Sequence, residues 1–121
     1  MKPVSHKRRR KRTVEEIRPI LRRAKDYILM NYGTKVEAII LYGSFIKGTA
    51  DEDSDIDIAV IFRAKIDRSK EMDKIYDFLY ELELESGELI SIKPLSNEEL
   101  KNSRWPLYTH IKKEGISLWK R

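Results

Sequence analysis

Two aspartates stand two residues apart near the middle of the chain, in the segment Ser54-Asp55-Ile56-Asp57. They open an apolar run typical of a β-strand, in which residues i and i+2 point to the same face. Their Cα atoms should therefore lie roughly 6.5 Å apart. Two carboxylates at this spacing repel each other unless a cation neutralises them, and oxygen ligands favour Mg²⁺ or Mn²⁺ over zinc. The pair is either a divalent-metal site or a solvated pair of carboxylates at the end of a strand, and the glycine turn described next favours the metal site.

A short turn containing Gly43, Ser44, Lys47 and Gly48 precedes the aspartates. Glycine lets the backbone approach a ligand closely, and a turn that exposes successive N–H groups binds anions. The hydroxyl of Ser44 adds a further donor for a phosphate oxygen. Lys47 is either a phosphate ligand or an ordinary surface lysine. The turn therefore predicts a phosphate-binding site next to the metal site.

Apolar periodicity indicates which elements position these residues. A helix capped by Thr13 and ended by Gly33 comes first, and Ser69 is predicted to cap a second long helix. Short helices are predicted from capping or proline signals after residues 96 and 106. The predicted strands cover residues 36–42, 55–62 and 89–95, and a short edge strand over 116–119 would be a fourth. This order predicts an α/β (α+β) fold with a small mixed sheet of three to four strands flanked by helices.

The net charge of +5 is unevenly distributed. Residues 1–12 carry seven of the 25 Lys and Arg residues and no acid, so residues 13–121 carry 18 bases against 20 acids. We expect residues 1–12 to form a disordered basic tail and residues 13–121 to form one domain. Residues 2–12 are a candidate arm for nucleic acid or an acidic partner. The alternative is that the tail serves only solubility.

Several protein classes are disfavoured by composition. The chain has no Cys, which excludes disulfides and thiolate sites within it. No apolar run approaches the roughly 18 residues of a membrane helix, and the N-terminus lacks the apolar segment of a secretory signal. We therefore expect no membrane association and a cytoplasmic location. The chain has no Gln and is rich in Ile, Glu and Lys, which is typical of thermophile proteins.

Together these residues resemble the signature of the nucleotidyltransferase superfamily that includes DNA polymerase β, and above all its minimal (MNT) members. The resemblance extends to the order of elements. It implies that Gly43 and Ser44 bind a nucleoside triphosphate, with ATP expected, and Lys47 is a candidate third nucleotide-binding residue or an ordinary surface lysine. It also implies that Asp55 and Asp57 are catalytic and hold Mg²⁺ or Mn²⁺. The matching positions are Gly43-Ser44, Lys47-Gly48, Ser54 and Asp55-x-Asp57.

The sequence departs from the family pattern at a third carboxylate. Catalytic members of the family carry an Asp on the third strand that helps to bind metal and deprotonates the acceptor hydroxyl. Ser91 occupies that place here by its position before Pro94, and serine is no general base at neutral pH. Glu88, just upstream, is the alternative third-strand residue. Nucleotide and Mg²⁺ binding are therefore better supported by the sequence than transfer is.

The resemblance implies a nucleotidyltransferase that moves AMP to an acceptor hydroxyl, acting as the antitoxin partner of a helical HEPN-type toxin. A homo-oligomer is the other assembly expected, since a neighbouring subunit could equally complete the cleft. A catalytically weak binding module, either an antitoxin or a nucleic-acid binder through the tail, is the alternative function. His110 lies in a short amphipathic helix with no His or Cys to share a metal, so we interpret it as structural.

Overall fold

The computed structural model describes residues 10–121, which form five α-helices and four β-strands. None of these helices combines the length and the apolar character needed to span a bilayer. The helices are α1 (Val14–Tyr32), α2 (Ser44–Lys47), α3 (Arg68–Ser86), α4 (Asn97–Asn102) and α5 (Pro106–Glu114). The strands are β1 (Val36–Tyr42), β2 (Ile56–Phe62), β3 (Ile90–Ser96) and β4 (Ile116–Lys120).

The four strands form one mixed sheet in the order β3-β2-β1-β4. Strand β1 runs antiparallel to both β2 and β4, and β2 runs parallel to β3. Parallel neighbours need a long crossover connection, and α3 supplies it. The sheet with its flanking helices confirms the predicted fold class.

Helices cover both faces of the sheet. Successive residues of a strand point to opposite faces, and the central strands carry apolar side chains on both faces. Helices α1 and α3 pack on one face, and α4 and α5 pack on the other. The prediction that 36–42 is a buried strand is confirmed. On the first face the strands contribute Ile39, Leu41, Ile58, Val60 and Ile92, and on the second they contribute Ala38, Ala59, Ile61 and Leu95.

The ends of the two long helices can be compared with the capping residues predicted from the sequence. Helix α1 begins after Thr13 and ends at Gly33, as predicted. The prediction that Ser69 caps α3 is wrong. The carboxylate of Asp67 accepts the Lys70 N–H at 3.3 Å and takes that role. Aspartate is at least as good an N-cap as serine, so the helix begins two residues earlier than predicted, at Arg68.

Residues 10–12 of the predicted tail pair with the domain. The N–H of Arg12 donates to the carbonyl of Ala50 at 3.0 Å, and the N–H of Arg10 donates to Oε1 of Glu52 at 2.9 Å. The guanidinium of Arg12 makes a two-pronged ion pair with Glu88, and these side chains are only 10% and 15% exposed. Residues 1–9 of the predicted tail lie outside the described residues.

Strand β3 lies at one edge of the sheet. Its Ile92 N–H donates to the hydroxyl of Tyr76, on α3, across 3.4 Å. The side chain of Tyr76 therefore extends from α3 to the sheet edge formed by β3.

Candidate functional site

The site is built on a row of side chains that crosses three strands. Tyr42 on β1 lies opposite Asp57 on β2, and Asp57 lies beside Ser91 on β3. Paired residues of neighbouring strands point to the same face, which here is the face covered by α4 and α5. Asp55 precedes β2 by one residue and is exposed. The structure therefore brings Asp57 and Ser91 together and leaves Asp55 at the mouth of the strand.

Gly43 follows β1 and contacts Asp57. Its φ is +84°, a conformation that L side chains rarely adopt. A Cβ at this position would lie 3.0 Å from Cγ of Asp57 and would overlap its Oδ2. The backbone of Gly43 thus forms one wall of the space around the Asp57 carboxylate, and only glycine fits there.

Helix α2 closes the turn after Gly43. The carbonyl of Gly43 accepts the N–H groups of Ile46 and Lys47, both at 3.1 Å. The first N–H groups of a helix have no acceptor within it, so those at the start of α2 remain available at the end of β1. Ser44 is half-buried at this point, whereas Lys47 is exposed one turn later.

The electrostatics of the site favour a bound cation. Burial raises the pKa of the Asp57 carboxyl, and the neighbouring charge of Asp55 raises it further. Burial also raises the pKa of the Tyr42 phenol to about 12, with the Asp57 charge as the next cause. A negative charge on Asp57 is therefore costly without a counter-ion. The oxygen donors of the aspartate pair suit Mg²⁺ or Mn²⁺.

The two candidates for the third-strand position lie in different surroundings. Ser91 is the direct neighbour of Asp57 in the sheet. Glu88 lies before β3 and is held by Arg12, with which it forms the buried ion pair. Among residues 10–121, no three His, Cys, Asp or Glu side chains come together as a metal cluster. The structure therefore does not bring Glu88 to the aspartate pair.

Ser54 orders the loop that leads into β2. Its Oγ accepts the N–H of Asp51 at 2.9 Å, and Oδ1 of Asp51 accepts the N–H of Asp53 at 2.9 Å. Local bonds of this type fix turns without help from the rest of the fold. The role of Ser54 in the motif is thus to shape the loop before Asp55.

His110 contacts the glycine turn, which sequence reasoning missed. Its Nε2 accepts the N–H of Gly43 at 3.1 Å. Its Nδ1 lies 3.2 Å from Oε2 of Glu114, one helical turn further along α5. The i,i+4 spacing of His110 and Glu114 was a signal for that pair, but nothing in the sequence links residue 110 to residue 43.

The sequence profile of the family described as "Polymerase beta, Nucleotidyltransferase" matches residues 24–121, which contain the whole site. The chain belongs to this family. The resemblance inferred from the glycine turn and the aspartate pair is therefore confirmed, and so is the assignment to the nucleotidyltransferase class.

Three relatives from Methanocaldococcus jannaschii are named as candidate protein adenylyltransferases. One is 46% identical over 55 residues, covering 46% of this chain and 62% of the relative. Another is 30% identical over 90 residues, covering 73% and 83%. The matched region spans only about three fifths and one half of the length of the first two.

Solved structures share the fold at low sequence identity. A nucleotidyltransferase candidate from Sulfolobus solfataricus is 20% identical with a TM-score of 0.60, over 89% of this chain and 86% of that one. A toxin–antitoxin structure with AMP-PNP is 22% identical with a TM-score of 0.57, over 82% and 73%. The Shewanella oneidensis complex of a tri-AMPylated HEPN toxin with an MNT antitoxin is 18% identical with a TM-score of 0.53, over 85% and 72%.

Proposed function

We propose that this protein is a Mg²⁺-dependent adenylyltransferase that transfers AMP from ATP to a hydroxyl group of a partner protein, with the hydroxyl oxygen bonding to the α-phosphorus and pyrophosphate leaving. The observation that carries the proposal is the contact of Gly43 with Asp57. This contact joins a turn that opens a helix, whose first N–H groups have no acceptor within the helix, to a carboxylate whose negative charge a cation would stabilise. A nucleoside triphosphate with its metal ion would supply an anion that the turn can bind and a cation that the aspartates can bind.

Each residue of the site has a role in this proposal. The N–H groups at the start of α2 and the Ser44 hydroxyl bind the phosphates, and the exposed Lys47 neutralises their charge. Asp55 and Asp57 would hold Mg²⁺ or Mn²⁺, which when bound would offset the charge that develops on the α-phosphate and on the departing pyrophosphate. The described residues thus bind and orient the nucleotide, which is the main protein contribution in phosphoryl transfer.

The acceptor is proposed to be a helical HEPN-type partner. Two findings support this class: the relatives are named for adenylylation of proteins, and a fold neighbour is an MNT antitoxin in complex with an AMPylated HEPN toxin. A homo-oligomer is the other assembly we propose to test. Co-expression with the product of the adjacent gene, followed by size-exclusion chromatography, distinguishes the two.

A second candidate function follows from Ser91. This serine lies beside Asp57, where catalytic members of the family carry the third carboxylate. Lys93, two residues further along β3, points to the same face, and its Nζ lies 5.9 Å from the ring centroid of Tyr108. A hydroxyl and a cation at this edge favour nucleotide binding over deprotonation of an acceptor. The alternative is thus a nucleotide-binding antitoxin with weak or no transfer activity.

Label transfer from ATP carrying ³²P at the α-phosphate separates the two candidates. We expect label to move to the co-purified partner in the presence of Mg²⁺ and to be lost in the D55N/D57N double variant. The matched control is D73N/D77N, which removes two exposed aspartates from α3. Transfer that survives D55N/D57N would overturn the site assignment. Nucleotide binding without transfer by the wild-type protein would support the binding module.

A further inference from the structure

We propose that His110 is a positioning residue, which orients the Gly43 peptide so that the turn can receive nucleotide phosphates. The inference rests on the proposed function of the turn. His110 lies on α5, far along the chain from the turn, and its side chain is 13% exposed. It nevertheless supplies the acceptor for the N–H of Gly43, at 3.1 Å.

The direction of this hydrogen bond fixes the state of the imidazole. Gly43 donates, so Nε2 of His110 carries no proton. In the neutral ring the proton then resides on Nδ1, where it can be donated to the carboxylate of Glu114 at 3.2 Å. Glu114 thereby selects the tautomer that can accept from Gly43, as carboxylates do for other functional histidines.

The orientation of the Gly43 peptide determines the shape of the site on two sides. On one side the N–H of Gly43, which belongs to the Tyr42–Gly43 peptide, is directed to α5, and the carbonyl of Gly43, which belongs to the Gly43–Ser44 peptide, is directed into α2 by its bonds from Ile46 and Lys47. On the other side Gly43 contacts the carboxylate of Asp57. A change in the backbone dihedral angles of Gly43, which join these two peptides, would therefore disturb both the start of α2 and the surroundings of Asp57.

The imidazole is itself held in place. The Tyr42 ring meets it edge-on, with centroids 6.3 Å apart and planes at 72°. Ile111, the next residue on α5, is buried against β1 and anchors the helix to the same face. His110 is therefore fixed by its own helix, by Tyr42 and by Glu114. A fixed acceptor of this kind can preset the turn before the nucleotide arrives.

The first test measures which imidazole nitrogen carries the proton, by ¹⁵N NMR of histidine-labelled protein near pH 8. The H6Q variant removes the other histidine of the chain, so that the remaining signals belong to His110. We expect Nδ1 to be protonated and Nε2 to be free. A proton on Nε2 would overturn the proposal, because His110 could then not accept from Gly43. This readout does not depend on any nucleotide.

The second test measures binding of AMP-PNP with Mg²⁺ by calorimetry in the H110A, H110Q and K113A variants. H110A removes the acceptor, and we expect Kd to rise roughly five- to tenfold, the equivalent of one hydrogen bond. H110Q retains an acceptor oxygen on its side chain and should recover most of the affinity. K113A truncates an exposed side chain on the same helix and should bind as the wild type does.

The outcomes separate this inference from the function on which it rests. Equal affinity of wild type and a folded H110A would overturn the positioning role and leave the proposed function intact. If H110A does not fold, H110Q and the tautomer decide: a Kd of H110Q raised five- to tenfold over the wild type, or a proton on Nε2 in the NMR test, would each overturn the role. A wild-type protein that does not bind AMP-PNP would overturn the proposed function and the positioning role, and the NMR readout would still decide whether the hydrogen bond exists.

Discussion

The carboxylate of Asp57 lies against the backbone of Gly43 so closely that a methyl group cannot be placed between them. Gly43 follows the end of β1, and Asp57 lies near the start of β2. Residues 44–56 separate them in the chain. Their contact exists because Tyr42 and Asp57 are directly paired across β1 and β2. The glycine turn and the acidic strand therefore form one structural unit.

The G43A variant should lose both stability and nucleotide binding. Its Cβ would overlap the Asp57 carboxylate, and the backbone at φ +84° and ψ −149°, a region essentially restricted to glycine, adds about 1–3 kcal/mol of strain. The matched control is G87A, where φ is +75° but no atom lies within 4 Å of the added Cβ. Urea denaturation should show a larger loss for G43A than for G87A, and only G43A should impair AMP-PNP binding. Equal losses would show that Asp57 can move aside at little cost.

Ionisation of Tyr42 should report the charge on Asp57. Its pKa is raised to about 12, so its contribution to stability is fully present below pH 10 and is lost as the pH rises towards 12. In a spectrophotometric titration, Y42F should remove one of the late-ionising tyrosines. D57N should lower the pKa of Tyr42 while leaving it above 10, because burial remains the larger cause. An unchanged pKa of Tyr42 in D57N would contradict the pairing of these side chains.

The S91D variant should bind a metal ion more tightly than the wild type but should be less stable when no metal is bound. A third carboxylate beside Asp57 adds repulsion in the metal-free protein and a further ligand in the loaded one. We expect S91D to unfold at a lower temperature than wild type without Mg²⁺ and to gain more from added Mg²⁺, by several degrees. S91N, similar in size but uncharged, is the control. An equal Mg²⁺ effect on both variants would argue against metal at this position.

Glu88 should matter for stability and not for transfer. The ion pair of Arg12 and Glu88 is largely but not fully buried, so E88Q should lower the free energy of unfolding by about 2 kcal/mol, between the costs of breaking an exposed pair and a fully buried one. The exposed pair of Arg23 and Glu85, with side chains 52% and 58% exposed, provides the control. R23M should cost less than about 1 kcal/mol. A folded E88Q protein that has lost transfer activity would instead restore Glu88 as a candidate for the third carboxylate.

Residues 2–9 remain a proposed arm for nucleic acid, and salt dependence tests it. Each phosphate contact that a deletion removes should lower the slope of log K against log salt by roughly 0.9 on duplex DNA. A variant lacking residues 2–9 should therefore bind duplex DNA more weakly at low salt and with a flatter slope. An unchanged affinity for duplex DNA after the deletion would contradict the proposal that residues 2–9 bind nucleic acid.

Local patterns predicted the part of the site that is close in sequence. Strand periodicity placed Asp55 and Asp57 at the start of β2, and the glycine turn was predicted from residue types that need special backbone geometry. The register of β2 and β3 was not predictable, because it depends on how α3 packs, and this left Ser91 and Glu88 as alternatives. The contact of His110 with Gly43 joins residues that are distant in the chain. No local pattern encodes such a contact.

The ion pair of Arg12 with Glu88 was hidden for a different reason. A basic run is predicted to be solvated when its partner is unknown, and the partner, Glu88, lies in the connection between α3 and β3. Burial of both side chains is a property of the folded surface and not of either segment. The predicted boundary at residue 12 therefore falls within a segment that pairs with the domain.

The hydroxyl of Tyr76 has a consequence for how the protein behaves in concentrated solution. An exposed sheet edge offers free N–H groups to which strands of other molecules can add. On β3 the Ile92 N–H is already engaged by Tyr76. The side chain thus interrupts the edge at mid-strand and disfavours its extension into intermolecular sheet, which opposes aggregation through β3.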